Sequence, residues 1–130
     1  MNVPVSRPRN GLPHIAVIIP CFNEERHIDR VVASVPQSVQ TVVVVDDCST
    51  DGTAAVLERI RDPRVVKIRH EENQGVGGAM VSGYRAALDH GAEICVKMDG
   101  DGQMAADHLF HVVQPLLRGE ADYSKGNRFR

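Results

Sequence analysis

The chain of 130 residues has the length of one domain, and its 42% apolar and 25% charged residues are typical of soluble globular proteins. Its formal net charge of -2 provides no basic field against phosphate, and 2 Tyr and 3 Phe residues are too few for a base-stacking surface. This composition argues against overall disorder and against a nucleic-acid partner.

The N-terminal residues lack the apolar centre of a signal peptide. Pro4, Pro8 and Pro13 stand among polar residues, which predicts a flexible tail over residues 1–13 and a folded part over residues 14–130. No stretch approaches the roughly 18 apolar residues of a membrane span. The 3 Cys residues form no CxxC pair, so we expect reduced thiols in a cytoplasmic protein rather than a zinc site.

The first predicted element is a strand. Residues 15–19 form a short, β-branched apolar run of the kind that is covered on both faces. A helix is predicted next, because Asn23 can cap it and Glu24 and Glu25 would place negative charge in its first turn. Apolar residues then recur at i, i+3, i+4 and i+7, and Pro36 ends the helix.

Two further strands and two helices follow. Residues 42–45 are all Val and predict a buried second strand, and residues 65–68 predict a third. Between these strands, one of residues 49–51 can cap a short helix. A Gly-rich turn at residues 75–78 precedes a helix of small residues that ends at Gly91.

The last predicted elements complete an alternating pattern. Residues 94–98 predict a fourth strand, and residues 107–117 predict a final helix. Alternation of strands and helices implies an α/β fold with a mostly parallel sheet and helices on both faces. In such sheets, ligands bind at the carboxyl ends of the strands. The polar clusters of this chain fall at those ends, at residues 23–24, 46–47, 73–78 and 99–103.

The segment after the fourth strand predicts a metal site. Asp99 and Asp101 are separated by Gly100, which would let the chain turn so that both carboxylates reach one ion. Hard divalent cations such as Mg²⁺ or Mn²⁺ prefer carboxylate, phosphate and water oxygens. A diphosphate would complete the coordination, and the metal would neutralise charge on the leaving diphosphate. A solvated Asp-Gly turn is the alternative interpretation.

Two other clusters are candidates for ligand contacts. Asp46 and Asp47 can accept hydrogen bonds from ribose hydroxyls or a base N–H, and we expect one to bind while the other caps or packs. Asn73, Gly77 and Gly78 would let the backbone approach a ligand closely. The glycine spacing does not complete the Gly-x-Gly-x-x-Gly fingerprint, so a nicotinamide cofactor is not expected.

The C-terminal segment supplies one cationic candidate. Arg128 follows a predicted strand at residues 122–125, and a guanidinium can hold a phosphate bidentately, although a solvated terminal charge is the alternative. An uncovered strand over residues 123–129 would also offer free backbone groups to another chain, which predicts self-association.

Several ordered segments closely resemble family-2 glycosyltransferases. These segments are IIPCFNEE at residues 18–25, VDDCSTDGT at residues 45–53 and NQGVGGA at residues 73–79. Two later segments, KMDGDGQ at residues 97–103 and GNRF at residues 126–129, are similar to the polyprenyl- and dolichyl-phosphate sugar synthase branch. The resemblance covers the chain from about Ile15 to its end.

The resemblance implies an A-type glycosyltransferase fold, Rossmann-like and truncated here, with a UDP- or GDP-sugar donor, Mg²⁺ or Mn²⁺, and inversion at the anomeric carbon. It implies catalytic roles for Asp101 and Arg128. The implied metal ligands are Asp99, Asp101 and Gln103. The implied nucleotide-sugar-binding residues are Pro20, Asn23, Glu24, Asp46, Asp47, Asn73, Gly77, Gly78, Asp99, Gly100 and Gln103.

The same resemblance implies transfer to a polyprenyl phosphate acceptor by an enzyme of which this chain is the N-terminal part. A full-length form would lie at the cytoplasmic face of a membrane, attached through parts that this chain lacks, and the isolated fragment is expected to be a poor catalyst. Two alternatives stay open: a family-2 transferase with a saccharide acceptor, and a nucleotide-binding domain without turnover. A sugar-1-phosphate nucleotidyltransferase would need a basic, Gly-rich loop that residues 20–25 do not contain.

Overall fold

The computed structural model describes residues 13–100, over which strands and helices alternate as predicted. The elements are β1 (Ile15–Cys21), α1 (Ile28–Ala33), β2 (Thr41–Asp46), α2 (Thr53–Arg59), β3 (Val65–Arg69), α3 (Gly75–Asp89) and β4 (Ile94–Lys97). Most of the predicted tail and the elements predicted at 107–117 and 122–125 lie outside the described residues. Between residues 13 and 100, no helix has the length and apolar character needed to cross a bilayer.

The described strands form one parallel sheet. Its 4 strands have the order β3-β2-β1-β4, so β1 lies between β2 and β4. In this register Ile18 pairs with Val43 on one side and Lys97 on the other. Every residue of β2 is buried, as expected for a strand that helices cover on both faces. The predicted parallel α/β sheet is confirmed.

An apolar cluster lies on each face of the sheet. On one face, Val17 of β1 packs with Ile28 of α1 and Leu57 of α2. On the other face, Ile18 packs with small residues of α3. A Cβ built at Gly83 would overlap Cγ2 of Ile18, so only glycine permits this close approach of α3 to β1. Each large apolar side chain buried in these clusters contributes about 1.5–3 kcal/mol.

Helix α1 begins later than the sequence predicts, so the expectation that Asn23 caps it is wrong. The helix starts at Ile28, its N-cap residue is His27, and no side chain caps it. Glu24 and Glu25 consequently precede the helix instead of lying in its first turn. The side chain of Asn23 bonds to the loop after β2, and this distant partner outweighs the local capping preference.

The starts of the other two helices also differ in detail from the predictions. Helix α3 begins at Gly75, so residues 75–78 are its first turn and not a separate turn before it. Gly75 has φ +81, a conformation that glycine adopts without a Cβ penalty. The N-cap residue of α2 is Gly52, which has no side-chain cap, so the prediction that one of residues 49–51 caps this helix is wrong. The Asp51 carboxylate, just before the N-cap, accepts a hydrogen bond from the Thr53 amide at 2.9 Å.

Arg64 joins the segment before β3 to the segment before β2. Its Nη1 donates to the carbonyl oxygens of Pro36 at 2.7 Å and Val39 at 3.1 Å, and its Nη2 donates to the Asp62 carboxylate at 2.8 Å. Hydrogen bonds from Arg64 lower the pKa of Asp62 below its ordinary value. This contact lies at the amino ends of the strands, opposite the edge where ligands of parallel sheets bind.

Candidate functional site

A cavity of about 200 Å³ opens at the carboxyl ends of β1, β2 and β4. The lining residues are Pro20, Cys21, Phe22, Glu24, Asp47, Val76, Ala79, Lys97, Asp99 and Gly100. Its volume is below the roughly 300–1,000 Å³ of ligand pockets in general. The predicted site residues Asp101, Gln103 and Arg128 lie outside the described residues, so the cavity represents the part of the predicted site that residues 13–100 build.

The side chain of Asn23 ties the loop after β1 to the loop after β2. Its Oδ1 accepts hydrogen bonds from the amides of Thr50 at 2.8 Å and Asp51 at 3.2 Å. Its own amide donates to Oγ of Ser49 at 2.9 Å. Asn23 has φ 54, a left-handed conformation that asparagine tolerates better than most residues. Asn23 does not line the cavity but shapes the loop that does, and its contact with a nucleotide stays a prediction.

The two glutamates of this loop have different partners. Glu24 lines the cavity, and its Oε1 lies 3.1 Å from Nδ1 of His27. Oε1 of Glu25 instead accepts a hydrogen bond from the Gly52 amide at 2.6 Å, at the start of α2, where negative charge suits the helix dipole. Of this pair, Glu24 is therefore the one that brings a carboxylate to the cavity.

The carboxylate of Asp46 is engaged within the protein. Asp46 is only 1% exposed, and its Oδ2 accepts from Nη1 of Arg69 at 2.7 Å. Its Oδ1 accepts from the Ser49 amide at 3.0 Å. Asp46 is not among the cavity-lining residues, so these contacts fit the packing and capping role foreseen for one of the two acids. Its contact with base or ribose stays a prediction.

Asp47 lines the cavity and holds the beginning of α3. Its Oδ1 accepts from Nδ1 of His70 and from the Gln74 amide, each at 2.8 Å, and its Oδ2 accepts from the Gly75 amide at 2.8 Å. Burial alone would raise the pKa of Asp47, but the hydrogen bonds from Gln74, His70 and Gly75 outweigh burial and lower it. Asp47 is therefore a carboxylate at neutral pH.

The Gly-rich segment places backbone next to the cavity. Nδ2 of Asn73 donates to the carbonyl oxygen of Asp47 at 3.1 Å. A Cβ at Gly77 would meet open space, whereas a Cβ at Gly78 would lie 2.6 Å from Cβ of Gln74. First-turn amides of a helix lack partners within the helix and carry partial positive charge, which suits an anionic ligand. Ligand contacts of Asn73, Gly77 and Gly78 stay predictions.

Asp99 and Gly100 follow β4 and line the cavity. The Asp99 side chain is 40% exposed, and its Oδ1 accepts from Nζ of Lys97 at 3.0 Å. Gly100 packs against β1, where a Cβ would lie 3.0 Å from Cβ of Cys21 and 3.2 Å from the carbonyl oxygen of Pro20. Close packing against β1 thus favours glycine here, in addition to the turn predicted from the sequence.

Asp99 is the one predicted metal ligand within residues 13–100. No group of three or more His, Cys, Asp or Glu side chains in that range could hold a metal ion. The predicted partners Asp101 and Gln103 are beyond the described range. A half-exposed carboxylate that faces an open cavity nevertheless fits a hard divalent cation, which prefers carboxylate and phosphate oxygens.

Comparison with known proteins identifies the family. The model of glycosyl transferase family 2 matches residues 16–130. The chain belongs to this family. It is 34% identical over 131 residues to the UDP-N-acetylglucosamine–dolichyl-phosphate N-acetylglucosaminyltransferase of Methanococcus voltae, covering 89% of this chain and 52% of that protein. It is 36% identical to the undecaprenyl-phosphate mannosyltransferase of Micrococcus luteus, covering 88% of this chain and 48% of that protein.

A solved structure confirms the predicted A-type glycosyltransferase fold of this family-2 chain. The mannosyltransferase PcManGT of Pyrobaculum calidifontis, in complex with GDP-Man and Mn²⁺, matches with a TM-score of 0.62 and 30% identity. The match covers 86% of this chain and 34% of that structure. The chain spans about half the length of the curated relatives that it matches.

Several residues that line the cavity were not predicted as site residues from the sequence. Phe22 is 45% exposed, and Val76 and Lys97 contribute an apolar and a cationic side chain. Burial, together with nearby carboxylates, raises the pKa of Cys21 to about 12, so its thiol is neutral. Lys97 and His70 could have been found from the sequence. Lys97 is a charged residue within an otherwise apolar strand, and His70 directly follows a strand, where parallel sheets bind ligands.

Proposed function

We propose that this chain carries the donor site of an inverting, metal-dependent glycosyltransferase that moves a sugar from a UDP- or GDP-sugar to a polyprenyl phosphate. The observation that carries the proposal is the Asp99 carboxylate, which faces a cavity at the shared carboxyl ends of parallel strands. Relatives named for transfer to dolichyl and undecaprenyl phosphate support the acceptor class. The neighbour that holds GDP-Man and Mn²⁺ supports the donor and the metal.

The charges of the cavity support a requirement for a cation. Glu24, Asp47 and Asp99 contribute carboxylates, while Lys97 is the cationic residue among the lining residues. A nucleoside diphosphate is itself anionic, so these carboxylates would repel it without a counter-ion. A divalent cation at the cavity mouth would offset this repulsion and join protein carboxylate to phosphate oxygen.

Mg²⁺ or Mn²⁺ would be held by Asp99, with Asp101 and Gln103 as the further ligands that the family resemblance implies. When bound, the ion supplies Lewis-acid stabilisation of the charge on the leaving diphosphate. Asp101 would also act in catalysis, and Arg128 would help to position phosphate groups. A guanidinium suits this task because it can donate two parallel hydrogen bonds to phosphate oxygens.

The remaining predicted residues would bind or support the nucleotide sugar. Pro20 and Glu24 form the β1 side of the cavity, where we place the base and ribose. Asp47 lines the cavity and holds the first turn of α3, where open space beside Gly77 leaves room for a phosphate or sugar to approach the backbone. Asn23, Asp46, Asn73, Gly77 and Gly78 do not line the cavity. The first three hold its loops through hydrogen bonds, and nucleotide-sugar contact by all five remains part of the proposal.

A polyprenyl phosphate resides in a lipid bilayer, so we expect the enzyme to act at a membrane surface. The nucleotide-sugar donor favours the cytoplasmic face. The competing acceptor is a saccharide, and the competing function is nucleotide binding without turnover. Transfer assays with labelled UDP-N-acetylglucosamine or GDP-mannose, offered undecaprenyl phosphate or an oligosaccharide, separate these cases. Label in the lipid phase supports the proposal, whereas label in the oligosaccharide contradicts the proposed acceptor.

Titration calorimetry with UDP and GDP tests the donor site directly. We expect binding in the presence of Mn²⁺ and loss of binding after chelation. Asp99→Asn should weaken Mn²⁺-dependent binding by about tenfold or more, equivalent to about 1.4 kcal/mol. Asp89→Asn is the matched control, because it makes the same chemical change at the end of α3 and outside the cavity. Equal affinity with and without metal, or equal loss in both variants, would contradict the proposal.

A further inference from the structure

His70 is a buried side chain that the proposed reaction does not use directly. It follows β3 and is 7% exposed. Its Nδ1 lies 2.8 Å from Oδ1 of Asp47, and its Nε2 lies 2.7 Å from Oγ of Ser82 on α3. A carboxylate can only accept, so Nδ1 carries the proton in this pair. In the neutral ring, Nε2 then accepts from the Ser82 hydroxyl.

The Asp47 carboxylate links His70 to the start of α3. The oxygen that accepts from His70 also accepts from the Gln74 amide, and the second oxygen accepts from the Gly75 amide. These amides precede Val76, the first residue of α3 that lines the cavity. The Gly75 amide also donates to Oδ1 of Asn73, at the longer distance of 3.1 Å. The orientation of one buried carboxylate therefore contributes most of the contacts that hold the first turn of α3 beside the cavity.

We propose that His70 is a positioning residue for the nucleotide-sugar site. By donating its Nδ1 hydrogen to Asp47, it fixes the carboxylate in the orientation that binds the Gln74 and Gly75 amides. The first turn of α3 is thereby held where the donor would bind. The inference rests on the proposed function, because it assigns His70 to the donor side of that same site.

An aspartate, a histidine and a serine in series also occur as a nucleophilic triad, and the geometry argues against that use here. Ser82 lies in the middle of α3, and neither Ser82 nor His70 lines the cavity. A serine nucleophile needs an exposed hydroxyl next to a substrate and donors for an oxyanion. Ser82 instead serves as the second anchor of the imidazole ring.

Two substitutions of similar size separate the two bonds of the ring. His70→Asn places an amide nitrogen near the position of Nδ1, so it can still donate to Asp47 but cannot reach Ser82. His70→Gln reaches towards Ser82 and leaves Asp47 without this donor. Ser82→Ala removes the other bond of the ring alone and serves as the control.

Calorimetric titration of UDP and GDP with Mn²⁺ measures the effect on the site. We expect His70→Gln to weaken binding by about tenfold, while His70→Asn and Ser82→Ala stay within about threefold of the unmodified chain. Melting temperatures are measured on the same samples. Two results refute the positioning role. One is a loss of affinity in both His70 variants that parallels the decrease in their melting temperatures. The other is unchanged affinity in His70→Gln.

A second measurement works without any nucleotide. Amide hydrogen exchange followed by NMR reports the Gln74 and Gly75 hydrogen bonds directly. We expect faster exchange in His70→Gln, most of all at the Gln74 amide, because the Gly75 amide also donates to Oδ1 of Asn73. Exchange should be unchanged in Ser82→Ala. Unchanged exchange in His70→Gln refutes the inference. If the unmodified chain binds no nucleotide, the proposed function fails, and the exchange data still decide whether His70 fixes the start of α3.

Discussion

Arg69 and Asp46 are partners in the register of the parallel β2–β3 ladder, and their side chains form an ion pair at the carboxyl end of both strands. Nη1 of Arg69 donates to Oδ2 of Asp46 at 2.7 Å, and Nη2 lies 3.4 Å from the carbonyl oxygen of Ser49. The carboxylate is 2% exposed, while the Arg69 side chain is 49% exposed. A buried carboxylate thus depends on a partner that water partly solvates.

Arg69→Leu should therefore lower the free energy of unfolding by about 1–2 kcal/mol, because it leaves the buried Asp46 carboxylate without its cation, although water offsets part of the loss. Arg69→Lys keeps the charge and should cost less. Urea denaturation followed by circular dichroism measures both variants. Identical denaturation midpoints for Arg69→Leu and the unmodified chain would show that Ser49 and water satisfy Asp46.

Two glycine-to-alanine changes in the same helix should have opposite effects on stability. Gly83→Ala forces a Cβ into Ile18, which costs up to about 3 kcal/mol, while helix propensity returns about 1 kcal/mol, so we expect a net loss of stability of about 1–2 kcal/mol. Gly77→Ala meets open space, so the propensity term should dominate and stability should rise by about 0.5–1 kcal/mol. Thermal unfolding of both variants decides the matter, and a stabilising Gly83→Ala would show that α3 can move away from β1.

Gly77→Ala also tests the predicted ligand contact of the first turn of α3. If the backbone at Gly77 approaches the donor closely, an added methyl group should weaken Mn²⁺-dependent UDP or GDP binding by about fivefold or more, although the fold becomes more stable. Calorimetry on the sample used for thermal unfolding gives both quantities. Full affinity in a stabilised Gly77→Ala variant would remove Gly77 from the predicted binding residues.

Acid should destabilise the chain partly through Asp62. Its pKa is lowered in the folded chain by hydrogen bonds from Arg64, from an ordinary value of 3.8. A lowered folded pKa contributes stability that is present above the unfolded pKa and is lost as the pH falls through the folded value. We expect the unfolding free energy to fall below about pH 4 less steeply in Asp62→Asn than in the unmodified chain. Parallel pH profiles would contradict this contribution.

The sequence predicted the sheet and the position of the site better than it predicted the contacts within the site. Four consecutive Val residues in β2 are enough to predict a strand that is buried on both faces. A parallel sheet then places the carboxyl ends of its strands at one edge, which predicts the position of the site. The role of Asn23 depends on Thr50 and Asp51, which a local capping rule does not consider. The bond between His70 and Asp47 likewise joins residues 23 positions apart. Such partners become visible only once the strands are aligned.

The strand order has a consequence for the order in which the protein acquires its binding site. Among the strands of residues 13–100, β1 comes first in the chain yet lies between β2 and β4, and its partner β4 begins with Ile94, which pairs with Ile15. A nascent chain that has released only β1 to β3 exposes an open β1 edge, to which another strand could add. Lys97 and Asp99 reach Pro20 only when β4 docks, and such distant parallel pairings form slowly. Affinity for nucleotide at the proposed site should therefore appear only after β4 has docked, later than the pairing of β1 to β3.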